Sequence, residues 1–495
     1  MLVPFFHPER VHIDAINLAD SDRGDRADAM GRTHGLPHLG QFLADIERTQ
    51  SDENERFGRR YQRETLARGG LELVSPLSGE RAIATESFAV GQKKFFCFAE
   101  TNGSGEGVAY FVMSSRIRFG FPLAALFLPS ENWLLTWESG GRRATERPPL
   151  QALAHAVAQE ELPLQLPIRP VITMGHANFA HHLWNELSAL ETIIQSGSLR
   201  ADTSILVARE TLGPLEQIFP ELKNIAIYRE GEYRPPGGVR RGALFVNIGS
   251  LRIRQSMRRR IVVFALNNVS SAAREIIARL ERDAGPVFWI SVKTQIQTLV
   301  DQRETLTRIA GQILKEHKRC SIVFDGFSLP EDWKRADDEM QRFYRRAVFE
   351  TRKESKAIIH AIRSSVTLEP SQVIASTAGM GLLDSIAIAQ SATAYLCHSG
   401  TVQHKIGWTA NVPGIVHGYR RPGIDDLGLW HSQRLEDGIA PVATPKAFFH
   451  DVISEAHVKR HNYRTIEPEM FTRFVAEYFS RCVSLVPVAP ERRTA

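Results

Sequence analysis

The sequence predicts an α/β chain: two Rossmann-like domains facing a cleft, with an additional β-rich region ahead of them. Three observations predict it. From Leu166 onward, short apolar runs alternate with amphipathic stretches, the pattern of βαβ units on a parallel sheet. That alternation restarts near Gly285, which divides it into two halves. Between residues 71 and about 138 the texture is instead one of short alternating or aromatic-rich runs separated by turn tracts such as SPLSG and TNGSGEG.

Residues 1–70 are charged and read as short helices and loops, and residues 71–150 as a β-rich accessory module ending in a polar linker. Residues 166–284 form the first α/β half. In it PIRPVITMG reads as a buried strand, HANFAHHLWNELSALETIIQSG as a helix, and SILVARE, NIAIYRE and GALFVNIG as further strands, with YRPPGG as an internal break. Residues 285–455 form the second half, in which PVFWISV, CSIVFDGFS, QVIAST, AYLCHSG and GIVHG read as strands. Its connecting helices include a long charged one, EDWKRADDEMQRFYRRAVFETRKESKAIIHAIRSS. Residues 456–495 are a C-terminal helix and tail, the helix free to pack back across the first half.

The totals exclude several classes. Hydrophobic residues make up 43% and charged ones 24%, which excludes fibrous and wholly disordered chains. Lys and Arg number 61 against 56 acids, a net charge of +5, too small by itself to mark a nucleic-acid binder. Four dispersed cysteines (Cys97, Cys320, Cys397, Cys482) fit neither a disulfide framework nor a zinc ribbon. With no secretory-leader pattern and no apolar window near the ~20 residues needed to span a bilayer, the expected setting is the cytoplasm, with any membrane contact peripheral to the inner membrane.

Two polar clusters carry the chemistry. In GHANFAHHLWNEL (175–187), a helix starting near Asn178 puts Leu183, Leu187, Leu190 and Ile194 on one apolar stripe. His182 and Glu186, one turn apart, and His181 and Asn185 on the next face, fall beside it. A histidine at the carboxyl end of a parallel strand suits a general base oriented by a neighbouring carboxylate. His182, Glu186 and His181 are therefore the catalytic candidates, with His176, Asn178 and Asn185 on the acceptor side. The plainer alternative is that Asn178 is only an N-cap and the histidines satisfy local carbonyls. H-E-x-x-H is absent, and no metal site is expected.

In CHSGTVQHKIGW (397–408), His398, Ser399, Gly400 and Thr401 form the turn between a strand and a helix, a place suited to phosphate. Lys405, one turn in, adds a point charge. Lys293 and Asp325 each follow a strand of the same half and are further donor-side candidates. The loop STAGMG (376–381) lacks both the G-x-G-x-x-G spacing and the Walker lysine, so neither a dinucleotide cofactor nor ATPase chemistry is indicated, and no cofactor is expected. Asp20 and Asp22 follow no strand, and Asp425 and Asp426 read as a solvated loop. Arg252, Arg254, Arg258, Arg259 and Arg260 form a basic run open to an anionic membrane or acceptor; aromatic interleaving, which nucleic-acid binding favours, is missing.

The segments NFAHHLWNELSAL, WISVKTQIQTLVDQRETL, VFDGFS and AGMGLLDSIAIAQSATAYLCHSGTVQHKIGW together resemble bacterial GT-B glycosyltransferases, closest to family 61-like enzymes of capsule and exopolysaccharide assembly. The resemblance spans residues 171–418 and implies transfer of a sugar from a nucleotide-activated donor, bound by the second half, to a saccharide or other hydroxyl acceptor on the first. It implies further that His182 or Glu186 deprotonates the acceptor, that Lys405 and the turn amides hold the phosphates, and that no bound metal is needed. Relatives tend to carry arginines where this chain has Lys293 and Gln297, and H-G-A-G where it has His398-Ser399-Gly400-Thr401. These departures keep open a second reading, a non-catalytic GT-B-like saccharide-binding or scaffold protein.

Overall fold

The computed structural model describes residues 7–18, 20, 22–50, 57–101, 105–115, 117, 120–137, 150–154, 169–229, 239–283, 285–419, 434–452 and 461–485. The YRPPGG tract and Asp425 and Asp426 lie outside them. The fold class is α/β, and the chain divides into two units. One runs up to Ile253; the other runs from Arg254 and also takes in residues 178–180 and 210–218.

In the first unit, strand β1 (His12–Ala15) precedes helices α1 (Arg23–Thr33), α2 (Leu39–Gln50) and α3 (Arg60–Arg68). A small hairpin follows, β2 (Leu71–Val74) and β3 (Arg81–Ala84). Then come β4 (Glu86–Val90), β5 (Lys93–Thr101), β6 (Gly107–Ser114), β7 (Leu123–Leu128) and β8 (Trp133–Thr136), an antiparallel run. The α/β part of this unit supplies β9 (Pro170–Met174), a continuous helix over 179–195 (α4), β10 (Ser204–Val207), β11 (Ala226–Arg229) and β12 (Val239–Asn247). All these strands except β2 and β3 form one ten-stranded sheet, ordered β1-β8-β7-β6-β5-β4-β12-β9-β10-β11. The β-rich stretch is therefore the antiparallel wing of the same sheet that carries the parallel strands. Local alternation predicts each strand but cannot tell which edge it joins.

The seam is between β4 and β12, which pair antiparallel with a register shift between Arg240 and Ala243. Such a shift leaves ladder groups misaligned. The buried Ser87 hydroxyl compensates by donating to Phe245 O (2.9 Å) and accepting from Phe245 N (2.8 Å). From α3, Gln62 reaches across to the end of β12, where its Oε1 accepts from Gly249 N (3.0 Å) and its Nε2 donates to Gly120 O (3.0 Å).

In the second unit, helices α5 (Gln255–Asn267) and α6 (Ser271–Asp283) precede β13 (Val287–Ser291). Then follow α7 (Gln302–Glu316), β14 (Cys320–Asp325), α8 (Asp338–Ser365), β15 (Gln372–Ser376), α9 (Leu382–Ala389), β16 (Ala394–His398), a helix over 401–410 (α10), β17 (Gly414–His417), β18 (Val442–Ala443) and finally α11 (Pro468–Leu485). The sheet order is β15-β14-β13-β16-β17-β18, parallel throughout. Counted along the unit this is 3-2-1-4-5-6, the doubly wound order. Helices α5 and α6, which the alternation places at the end of the first half, belong here: Ser270 N and Oγ both donate to Asp384 of α9, each at 2.8 Å. A strand-free helical stretch carries no periodicity that says which sheet it covers. Helix α11 likewise buries Phe471, Val475 and Phe479 in this unit's core, Phe479 stacking on Phe288 of β13 at 4.7 Å.

The arginine run does not form one face. Arg258 pairs with Asp437 and Arg260 donates to Ile218 O (3.1 Å), while Arg259 is exposed.

Replacing Ser87 by Ala removes both partners of Phe245 at the register shift. The expected result is a loss of about 1–3 kcal/mol, read as a lower urea midpoint with unchanged slope.

Candidate functional site

In both units the parallel strands reverse their winding direction at one point, and ligand crevices of α/β sheets form there, outside the carboxyl ends of the strands. In the second unit the reversal is between β13 and β16. In the first unit the parallel strands run β11-β10-β9-β12, the same 3-2-1-4 order, and the reversal is between β9 and β12. Each sequence cluster follows a strand at the reversal of its own sheet.

At the first reversal, β9 ends at Met174 and the chain turns through Gly175 (φ 110°). A Cβ there would sit 2.3 Å from Arg209 N, so the turn requires glycine. Glu186 holds this turn from below: its Oε2 accepts from Gly175 N (2.9 Å) and His176 N (2.8 Å) and meets His182 Nδ1 (2.8 Å). Both side chains are buried, His182 completely. The proposed catalytic pair is thus a buried brace, closed to a solvent-borne hydroxyl, and its work is to shape the turn.

His181 and His176 are only partly buried, with ring centroids 4.8 Å apart. Asn185 Nδ2 donates to Ser250 O (2.6 Å), which leaves its Oδ1 facing His181 Nδ1 (2.8 Å). An amide oxygen only accepts, so Nδ1 carries the hydrogen and Nε2 keeps the lone pair of a base; this tautomer follows from the network. Asn185 also anchors the other side of the reversal, its backbone O accepting from Ser250 N (2.8 Å). The middle of α4, His182–Leu187, is π-helical, with Ser188 Oγ donating to Leu183 O. Such wide turns recur at functional sites. Asn178 is an N-cap, accepting from Ala180 N (2.9 Å), and its Nδ2 donates to Thr401 Oγ1 (3.2 Å), residues 178–180 being counted with the second unit.

At the second reversal, the two cations differ sharply. Lys405 is buried, and its Nζ donates to Asp325 Oδ1 (2.7 Å), Gly326 O (2.7 Å) and Ser328 Oγ (2.8 Å), with Ser385 Oγ at 3.3 Å. With its donors committed, it has none left for a phosphate. Asp325, also buried, accepts in addition from Thr377 Oγ1 (2.7 Å) and Ser385 Oγ (3.0 Å). The pair therefore ties together the ends of β14 and β15, α9 and α10. Helix α10 is also π-helical over Lys405–Ala410.

Lys293, just past β13, is only half-buried, and its Nζ donates to Ser399 O (3.0 Å), with Gln297 Oε1 at 3.4 Å. That leaves one of its three N–H directions open among the described residues. Gly400 (φ 105°) lies against it: a Cβ there would stand 3.7 Å from Lys293 Nζ. Burial pushes the Lys293 ammonium down to about 8. An open groove of about 1440 Å³ leads away from Lys293 between α7 and α8, past Thr298, Arg303 and Thr307.

His398 is buried beneath the turn rather than in it. Its Nδ1 meets Ser291 Oγ (2.9 Å), and its ring lies 4.4 Å from that of His417, whose Nδ1 meets Tyr463 OH (2.9 Å). Burial pushes His398 well below the ordinary imidazole range and His417 to about 3, so both are neutral near pH 7. His398 supplies no charge to an anion. Ser250, Ser291, His417 and Tyr463 have no signature in the sequence; they matter through sheet order alone.

Lys405→Met should cost about 3–5 kcal/mol, because it leaves the Asp325 carboxylate buried without its cation. A Lys405→Met/Asp325→Leu double variant should recover much of that loss. Chemical denaturation of the two variants checks it.

No protein-family model and no curated protein matches the chain. Its structure is similar to that of a family 9 glycosyl transferase from Veillonella parvula, at 10% identity and a TM-score of 0.32, covering 64% of this chain and 99% of that one. It is similar as well to the ADP-heptose LPS heptosyltransferase II of E. coli, at 8% identity and a TM-score of 0.33, covering 64% and 98%. A third similarity is to an α,α-trehalose-phosphate synthase (UDP-forming) from Burkholderia xenovorans, at 11% identity and a TM-score of 0.24, covering 70% and 79%.

Proposed function

We propose that this chain is a glycosyltransferase of the GT-B type that moves a sugar from a nucleotide-activated donor to a saccharide or other hydroxyl acceptor. The observation that carries the reading is Lys293: a half-buried ammonium with an N–H to spare, held at the Ser399–Thr401 turn where the second sheet reverses. A fixed cation in a partly desolvated crevice suits the diphosphate of a nucleotide sugar. As the anomeric carbon gives up its bond to the diphosphate oxygen and gains one to the acceptor oxygen, charge develops on the leaving diphosphate, and Lys293 stabilises it. On the acceptor side His181, with Nδ1 held by Asn185, takes the hydroxyl proton at Nε2, and His176 stands beside it. The finer reading, an enzyme of polysaccharide assembly related to family 61, rests on the sequence segments alone.

The second reading, a saccharide-binding protein without turnover, is favoured by one specific fact. His182, Glu186, Lys405, Asp325 and His398 are all buried and committed to the framework. Calorimetry against a panel of nucleotide sugars, followed by a transfer or hydrolysis assay on any donor that binds, separates the two: turnover supports the enzyme, binding alone the second reading.

A Lys293 that loses its proton near pH 8 is a cation at pH 7 and mostly neutral at pH 9. Nucleoside diphosphate affinity should therefore fall about tenfold between those values. In Lys293→Met it should be weaker at pH 7 and flat across the range, as calorimetry at each pH would show.

His181→Ala should lower turnover by about 10²–10⁴ while donor binding is kept. His182→Ala should lower the melting temperature instead; a variant pair behaving the other way round would return the base to His182.

A further inference from the structure

We propose that the outer face of α8 docks the protein onto an anionic lipid bilayer. Past the acids of its first turn, Asp338 and Glu339, this helix carries seven Lys or Arg and two acids between Gln341 and Ser365, a net of 7 − 2 = +5. The two acids are half-buried and paired, Glu350 with Arg346 (2.7 Å) and Glu354 with Arg303 (2.6 Å). Arg342, Arg345, Lys353, Lys356 and Arg363 are exposed and make no ion pair among the described residues. From Arg342 to Arg363 the stripe is roughly 32 Å long at 1.5 Å per residue.

An ordinary solvated helix face mixes charge signs at a spacing of four residues. Here Arg342 and Arg346, and Arg352 and Lys356, set like charges one turn apart, an arrangement that works against the helix itself. Phe349 stands in the middle of the stripe at 66% exposed. Beneath it lies a depression of about 500 Å³ bordered by Trp333, Val348, Arg345, Lys353 and Lys356, with no carboxylate in its lining.

Cations alone would fit any polyanion; the exposed phenylalanine among them narrows the choice. A bilayer answers both features, with headgroup phosphates for the straight row of cations and interfacial hydrocarbon for Phe349 and Trp333. A nucleic acid would use a row of stacking aromatics; here Phe343, also exposed on α8, packs its ring against Phe327 and Tyr344, which leaves Phe349 standing alone among the cations. The basic surface is therefore on α8 rather than on the 252–260 arginines, where Arg258 and Arg260 are already engaged.

The test is co-sedimentation of the full chain with vesicles of phosphatidylcholine containing about 30% phosphatidylglycerol, compared with phosphatidylcholine alone. Binding is expected only to the anionic vesicles, falling steeply between about 0.1 and 0.5 M salt. Arg342→Gln/Arg345→Gln/Lys356→Gln should lower the partition coefficient by about a hundredfold. Phe349→Ser should lower it several-fold with the same salt slope. Circular dichroism melts matching the parent would show that both variants fold. The proposal is overturned if the parent ignores anionic vesicles, if the triple variant binds them like the parent, or if an oligonucleotide or acidic polysaccharide is held more tightly than the vesicles through the same three residues.

Discussion

The carboxyl edge of the second sheet depends on one buried ion pair. Lys405 and Asp325 lie in the interior, where a lone charge of either sign would be costly. Each is tolerable because the other is there, because a carbonyl and a hydroxyl take the other donors of Lys405, and because two hydroxyls donate to the same Asp325 Oδ1. The pair joins α10 to the ends of β14 and β15, and α10 begins at the Gly400 turn. Its contribution to any chemistry is indirect: it fixes the turn against which Lys293 is placed.

The first unit solves the same problem with different groups. Glu186 gathers two backbone N–H groups and an imidazole on a single oxygen, and so sets the turn after β9. In both units a buried charged or polar brace lies one layer below a more accessible group, Lys293 in one and His181 in the other. In both, the helix that carries the brace has a π segment. The accessible groups are the ones able to meet a ligand, and their geometry depends on the inaccessible ones.

Much of the architecture was legible because it rests on local rules. The strands after Leu166, the helices between them and the β-rich wing follow from periodicity and turn chemistry, and the Gly175 and Gly400 turns from residue type. The individual site roles were less legible. His182, Glu186 and Lys405 have the residue types of catalysis and phosphate binding, yet each is buried. Side-chain type reports what a group can do in water; burial and partners decide what it does, and these come from chain segments far away, such as Asp325 for Lys405 and Ser250 for Asn185.

What the sequence by itself determined is the α/β class, its two strand–helix series and the two polar clusters at strand ends, since hydrophobic period and turn residues act over a few neighbours. Tertiary structure alone decided the single ten-stranded sheet, the allocation of α5 and α6 to the second unit, and which of the candidates are buried, Lys405 and His182, and which stay accessible, Lys293 and His181. The physical reason is common to all of these. Strand order and burial are properties of long-range pairing, and a one-dimensional pattern does not encode which distant backbone or carboxylate will close around a given side chain.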